Sequence, residues 1–395
     1  MDNRWRRFDY ILLMATLALV ALGTVLIYSA TLPSPGQPAN NLAPDSATVK
    51  QVTYAVAGLI LMILVSLIDY RFFEEVFFRT RVSKASIEGA SLMQRVLASF
   101  LHPLYVVNLA LLGAVLIIGR ITHGSQRWMS LGIFDLQPSE LAKLLIIITL
   151  AKYLTDQEEE IKGWRPFLLS ILHVAGPIVL IYAQPDLGTA IVVGAIWLGM
   201  VIMAGVRFRH LFAVAVPAIL AAPLVWTYVL RDYQRERFMA FLNPNLDPLG
   251  AGYNPIQSLV SVGSGGLLGK GLTAGTQSQL HFLRIQHTDY IFSVLGEELG
   301  FVGAICFFAL LMIVLFRALR IASRSTEPFG RLIGCGVVTM LFFQTFVNVG
   351  MNTGLLPVTG IPLPFISSGG SSLITLFLAE GVLQSIAMHS KRTGF

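Results

Sequence analysis

His287-Thr-Asp289-Tyr stands where a long polar stretch gives way to an apolar block, and it sets a carboxylate beside an imidazole and a hydroxyl. An aspartate there can take a proton from an alcohol as a general base, and it can equally cap the helix that follows. Helical spacing puts Asp289, Phe292, Ser293, Gly296 and Gly300 on one broad face. Three of these are small, which suits close helix packing or a cavity floor. A second set joins Arg127-Trp128 to Gln137-Pro-Ser139-Glu140-Leu-Ala-Lys143. Pro138 marks a helix start, and Glu140 and Lys143 share a face. One reading is a buried ion pair that locks packing. In the other, Arg127 and Lys143 offer positive charge to a phosphate while Glu140 orients the lysine or helps hold a divalent cation, Mg or Mn.

Two further segments carry chemistry through their shape. Gln184-Pro-Asp186-Leu-Gly-Thr189 reads as a tight turn whose aspartate caps the next helix. Pro357-Val-Thr-Gly-Ile-Pro362-Leu-Pro364-Phe-Ile-Ser367-Ser368-Gly369-Gly370 cannot continue a regular helix. Irregular backbone at membrane depth survives only where protein or a water-filled cavity satisfies its polar groups, so a cavity is expected here. The run ending Gly269-Lys270-Gly271 imitates a phosphate-binding loop. It has Ser264 where that pattern needs glycine and Gly271 where it needs serine or threonine, so it is set aside.

The elements that must position these residues are membrane spans. The 395 residues are 55% hydrophobic and only 13% charged, against about 25% charged in a soluble domain. The apolar residues come in blocks of about twenty, the length that crosses about 30 Å of hydrocarbon. Blocks and breakers predict an all-α polytopic protein of about ten spans, near 10–31, 50–69, 104–120, 137–155, 167–183, 187–205, 211–230, 289–316, 332–350 and 367–388. The first apolar stretch follows Arg4, Arg6 and Arg7, is long for a signal peptide and has bulky Tyr28 at the would-be cleavage position, so it reads as a retained helix.

The net charge of +6 is scattered in short groups between apolar blocks, which excludes nucleic acid as a partner and makes the basic residues topology determinants. With both termini cytoplasmic, Arg71, Arg79, Arg81, Lys84, Arg95, Lys152, Lys162, Arg165, Arg207, Arg209, Arg317, Arg320, Arg324, Arg331, Lys391 and Arg392 fall on the inner side. One long extracytoplasmic loop, 231–288, then lies between spans seven and eight of a single membrane domain covering 1–395. Its first part, with Phe238, Phe241 and Leu242 at helical spacing among arginines, suits a helix in the headgroup plane. Cys306 and Cys335 sit inside predicted spans and read as small buried apolar residues, with no disulfide or metal implied.

The order and spacing of these strings resemble the SEDS family (shape, elongation, division and sporulation), over nearly the whole chain. Those that carry the resemblance are Arg127-Trp128 with Gln137 to Lys143, Gln184 to Thr189, Gly275-Thr-Gln-Ser-Gln-Leu280, His287 to Phe292, Glu297-Glu-Leu-Gly300 and Pro357 through Ser371. Gly275-Thr-Gln-Ser-Gln resembles the RodA branch more than the FtsW branch. The chain departs from the family pattern at Arg284-Ile285, where relatives commonly have Pro-Glu, which leaves Asp289 the clearer acid.

The resemblance implies a peptidoglycan glycosyltransferase of the bacterial cytoplasmic membrane, serving cell elongation with its site outside. It would polymerise lipid II and work with a single-span class B penicillin-binding protein and the elongation machinery. Pyrophosphate leaves readily, so the site needs one base and positive charge. The expected base is Asp289. Arg127, Trp128, Gln137, Ser139, Glu140, Lys143, His287, Thr288, Ser367 and Ser368 are the candidates around the substrate and its pyrophosphate, with Asp186 a cap. No cofactor is certain beyond a possible divalent cation. A lipid II flippase, with a site reachable from both leaflets, and a non-catalytic scaffold are the competing readings.

Overall fold

A computed structural model describes residues 5–32, 46–75, 103–122, 125–130, 135–158, 160–280, 282–283 and 286–389. The basic residues Arg4, Arg79, Arg81, Lys84, Arg95, Lys391 and Arg392 and the Arg284-Ile285 departure lie outside them. Its long helices are α1 (Tyr10–Ala30), α2 (Ala47–Leu67), a short α3 (Tyr70–Glu75), α4 (Pro103–Ile118), α5 (Pro138–Asp156), α6 (Trp164–Ala183), α7 (Leu187–Met203) and α8 (Phe208–Leu220). The 231–288 loop folds into α9 (Asp232–Leu242), α10 (Tyr253–Ser264) and α11 (Thr276–Gln279). The chain closes with α12 (Ile291–Arg324), α13 (Pro328–Asn352) and α14 (Gly370–His389).

A helix answers each predicted span by position. Six are long and apolar enough to cross a membrane, and α8 with its continuation Ala222–Val229, bent by 45°, makes a seventh. Helices α4 and α7 are apolar but shorter. Helix α5 carries Glu140, Lys143, Lys152 and Asp156, so its length and composition alone do not mark a span. The bend after α8 falls between Pro217 and Pro223, each of which removes a helix hydrogen bond.

Two contacts fix how α12 lies on α1. Arg317 pairs with Asp9 at 2.5 Å, and the Ser29 hydroxyl donates to Glu298 at 2.5 Å. Between those levels each helix rises through about twenty residues, or about 30 Å, the thickness of the hydrocarbon. Helix α12 is longer than that, and it breaks at Gly300, whose φ is +64°. The glycine-rich run set aside above closes on this break: Lys270 and Gly271 N–H groups donate to the carbonyls of Glu297 and Glu298, and Phe301 and Val302 N–H groups donate to those of Gly266 and Leu267. A Cβ on Gly269 would lie 2.1 Å from the Glu298 oxygen, so glycine serves close backbone approach here.

Two findings differ from the sequence reading. A three-stranded antiparallel sheet, β1 (Arg120–Thr122), β2 (Ser125–Ser130) and β3 (Asp135–Leu136), bridges α4 and α5 where only a loop was expected. Cys306 is exposed on the apolar outer face of α12 instead of buried, and Cys335 is half-buried; both are free thiols. Helix α6 runs through Pro177 unbroken because the Tyr105 hydroxyl donates to the His173 carbonyl at 2.8 Å, replacing the bond that proline cannot make.

Tyr105→Phe should therefore lower stability by about 1–3 kcal/mol by leaving a buried carbonyl short of its donor. Adding Pro177→Ala restores the helix bond and should cancel most of that loss; thermal unfolding of the two single variants and the double variant in detergent checks it.

Candidate functional site

Asp289 lies in the turn ahead of α12, and its backbone is held from α13. Its carbonyl accepts from the side-chain amides of Asn348 at 3.2 Å and Asn352 at 2.9 Å. Asn352 is itself fixed by the Ser293 hydroxyl at 2.6 Å, and Ser258 of α10 lies 2.6 Å from Ser293. The carboxylate is half-buried, and Gly360 passes close enough that a Cβ there would lie 3.7 Å from Oδ2. Burial pushes the Asp289 carboxyl above the usual carboxylate range; the guanidinium of Arg237, a hydrogen bond from Thr288 and the guanidinium of Arg127 pull against it, and Asp186 adds to the rise.

Arg127, on β2, acts on this carboxylate through its charge. Its Nε donates to the Gln184 carbonyl at 3.0 Å, Nη2 donates to the Pro185 carbonyl, and Nη1 lies 3.8 Å from Asp186. Asp186 caps α7: its Oδ1 accepts from the Thr189 N–H at 3.2 Å and Oδ2 accepts from the Thr189 hydroxyl at 3.0 Å. Oδ2 also receives Gln137 and Ser139 from the start of α5, each at 3.3 Å. The Tyr233 hydroxyl of α9 donates to the Pro185 carbonyl at 3.1 Å, and Arg237 lies over the Tyr233 ring at 5.7 Å. One turn of backbone thus ties together the two arginines that face Asp289.

The irregular segment, 357–369, threads between these pieces. The Ser367 hydroxyl donates to the Thr288 carbonyl at 2.6 Å, and the Ser368 N–H donates to the His287 carbonyl at 2.9 Å. Ser371 accepts from the Gln137 N–H and donates to the Asp135 carbonyl, both at 2.9 Å. Phe365 holds a left-handed φ of +64°, unusual for a bulky residue, and is buried against Phe377. A Cβ on Gly23 would sit 2.6 Å from the Ile366 backbone. Gly23 lies seven residues below the end of α1, about 10 Å along the helix. Gly188 at the start of α7 likewise leaves only 2.7 Å to the Thr359 oxygen. His287 is half-buried, and loss of water pushes its imidazole below the usual histidine range.

The structure therefore brings Asp289, His287, Thr288, Ser367 and Ser368 together, and joins them to Arg127, Asp186, Gln137 and Ser139. Arg127 is the extra residue of an irregularity in the β1–β2 register, where Trp128 pairs with Arg120 and Gln126 with Ile121. Glu140 and Lys143 are closed on each other: Lys143 Nζ donates to both carboxylate oxygens at 2.8 Å, and both side chains are at most 4% exposed. The sequence reading passed over Arg237, Asn348 and Asn352. Arg237 was hidden in an amphipathic basic run. The asparagines stand one turn apart in an apolar span, a visible signal had neutral polar groups been weighed with the ionisable ones.

A family model described as cell cycle protein, covering FtsW, RodA and SpoVE, matches residues 88–392. The chain belongs to this family. It is 43% identical over 303 residues to the peptidoglycan glycosyltransferase MrdB of Escherichia coli, covering 76% of this chain and 81% of that one. It is 36% identical to a probable peptidoglycan glycosyltransferase FtsW of Geobacter metallireducens, covering 98% and 96%. Among solved structures it resembles a chain of a peptidoglycan synthase complex described as coordinating polymerization and crosslinking, with a TM-score of 0.75, 30% identity and 96% and 97% coverage. RodA of Thermus thermophilus gives a TM-score of 0.64 at 28% identity over 98% of each chain.

Because Gly23 and Gly188 both face backbone of the irregular segment, Gly23→Ala and Gly188→Ala should each cost about 1–3 kcal/mol through overpacking. The same change at Gly113, which has nothing within 4 Å of an added Cβ, should be neutral. Unfolding midpoints of the three variants test this.

Proposed function

We propose that this chain is a peptidoglycan glycosyltransferase that polymerises lipid II into β-1,4-linked glycan, with Asp289 as its general base. The observation that carries this is a half-buried carboxylate, its charge favoured by two guanidiniums, Arg237 and Arg127, beside backbone that has left the helix. Asp289 takes the proton of the acceptor sugar's 4-hydroxyl as its oxygen bonds to the anomeric carbon of the donor. The bond from that carbon to undecaprenyl pyrophosphate breaks, and the arginines face the charge that develops on the departing phosphates. One displacement inverts the α-linked donor to a β product.

His287, Thr288, Ser367 and Ser368 line the same junction and are assigned to the substrate side of it. Glu140 would have to release Lys143 to bind a divalent cation, so phosphate neutralisation is assigned first to the arginines. Trp128, paired with Arg120 next to Arg127, is assigned to support. The proposed setting is the bacterial cytoplasmic membrane, with both termini inside and the site outside. A class B penicillin-binding protein is the partner that would cross-link the product, within the elongation machinery. The 36% identity to an FtsW over almost the whole chain keeps a division role as the second reading.

Purified protein with labelled lipid II in detergent should make glycan polymer, a condition that abolishes transport, so no polymer would favour a flippase. Asp289→Asn should insert and fold but make none; normal chains from it would end the base assignment. A base must be deprotonated, and burial raises the Asp289 carboxyl, so activity should rise with pH only above the ordinary carboxylate range. Arg237→Met removes a neighbour that favours the charged form, so the acid limb of its pH profile should move further up.

Lys143→Met decides the other assignment. Lost activity in a folded, stable protein gives Lys143 a phosphate role. A protein destabilised by about 3–5 kcal/mol, as expected when one partner of a buried pair is removed, makes the pair structural; unfolding curves beside polymerisation assays separate the two.

A further inference from the structure

Glu297 is fully buried in the first turns of α12, and four donors from the outer loop converge on it. Oε1 accepts from Lys270 Nζ at 2.9 Å, the Gln277 N–H at 2.8 Å and the Thr276 hydroxyl at 3.4 Å, and Oε2 accepts from the Ser278 N–H at 3.0 Å. Gly275 makes room for this, since a Cβ there would lie 2.7 Å from Oε2. A carboxylate with three donors on one oxygen and one on the other, fully buried, is a rigid anchor.

The anchor leads to the proposed base. Ser278, held by Glu297, passes its carbonyl to the Gln286 amide at 3.1 Å, and Gln286 also donates to the Ala30 carbonyl at the end of α1. Gln286 opens the turn that contains Asp289. Gln279 donates to the Ser29 carbonyl at 3.0 Å, so the same string is stitched to α1 twice. The turn is thus fixed from below by Asn348 and Asn352 and from the side by Glu297 through Ser278 and Gln286.

We infer that Glu297 is a positioning residue: its carboxylate clasps the Gly275 to Gln279 string across α12 and thereby sets where Asp289 stands. This rests on Asp289 being the base. The string itself then serves as a strap and makes no sugar contact. Lys270 is the exposed end of the clasp, with 28% of its side chain open.

The test uses the full-length protein with lipid II. Glu297→Gln keeps the shape but loses charge and acceptor capacity, and kcat should fall by about tenfold to a hundredfold, as a misplaced group about 1 Å away would cause. KM should stay unchanged, and the acid limb of the pH profile should shift as Asp289 moves against its arginines. Lys270→Met should give a smaller loss of the same kind, non-additive with Glu297→Gln, and Lys270→Arg should restore it. If Glu297→Gln fails to fold, the lysine pair alone decides. An unchanged kcat, or a raised KM at constant kcat, overturns the inference. If Asp289→Asn polymerises normally the base assignment itself fails; if it is dead while Glu297→Gln and Lys270→Met match the parent, only the clasp fails.

Discussion

Backbone that leaves a helix inside a bilayer has no water to bond to, and this constraint governs the architecture around Asp289. The segment after α13 contains Pro357, Pro362 and Pro364, so it cannot satisfy itself by coiling. Its polar groups are met from elsewhere: Asn348 donates to the Ile361 carbonyl at 2.8 Å, and Ser367 bonds both the Leu363 N–H and the Thr288 carbonyl. The bonds from Asn348 and to the Thr288 carbonyl also hold a second segment. Satisfying the irregular backbone and assembling the candidate site are therefore one event, which explains why small polar residues crowd this junction.

The electrostatics follow from the same economy of donors. Arg127 spends Nε and Nη2 on the carbonyls at the end of α6, groups a helix terminus leaves unpaired. What remains is its net charge, directed at Asp186 and Asp289. Arg237 is different: it is exposed and rests on the Tyr233 ring, with the turn at Pro185 beneath. One guanidinium is built into the scaffold and the other stands at its rim, so the scaffold arginine sets a constant field while the rim arginine remains able to meet a ligand.

The spans were legible because hydrocarbon demands unbroken apolar length: each block is helical, and six helices and one bent pair among the described residues are long and apolar enough to cross. The strings that carry the site were legible too, since each broke a rule of membrane composition: a carboxylate at a span mouth, prolines at depth, a charged pair in a helix start. What stayed hidden depended on pairing across long sequence distance. The sheet of β1, β2 and β3 is too short to show a period, and its strands gain their partners only from one another. The glycine-rich run looked like a ligand loop because glycine is needed wherever backbone approaches backbone, and here the partner is the break at Gly300. Arg237 looked like headgroup chemistry because nothing local reveals that Tyr233 anchors its helix to the turn at Pro185.

These distances have a consequence for how the site holds together. Asp289, Arg127 and Arg237 come from the mouth of α12, a strand between α4 and α5, and a helix of the outer loop, so no local segment can form it. Asn348 and Asn352 fix Asp289 from α13, whereas α9 meets the rest through the Tyr233 hydroxyl, through Arg235, which donates to the carbonyls of Trp226 and Thr227 in the bent continuation of α8, and through Phe238 packed on Trp226. Arg237 rides on α9, so its place relative to Asp289 depends on how α9 seats on the turn at Pro185 and on the bent end of α8.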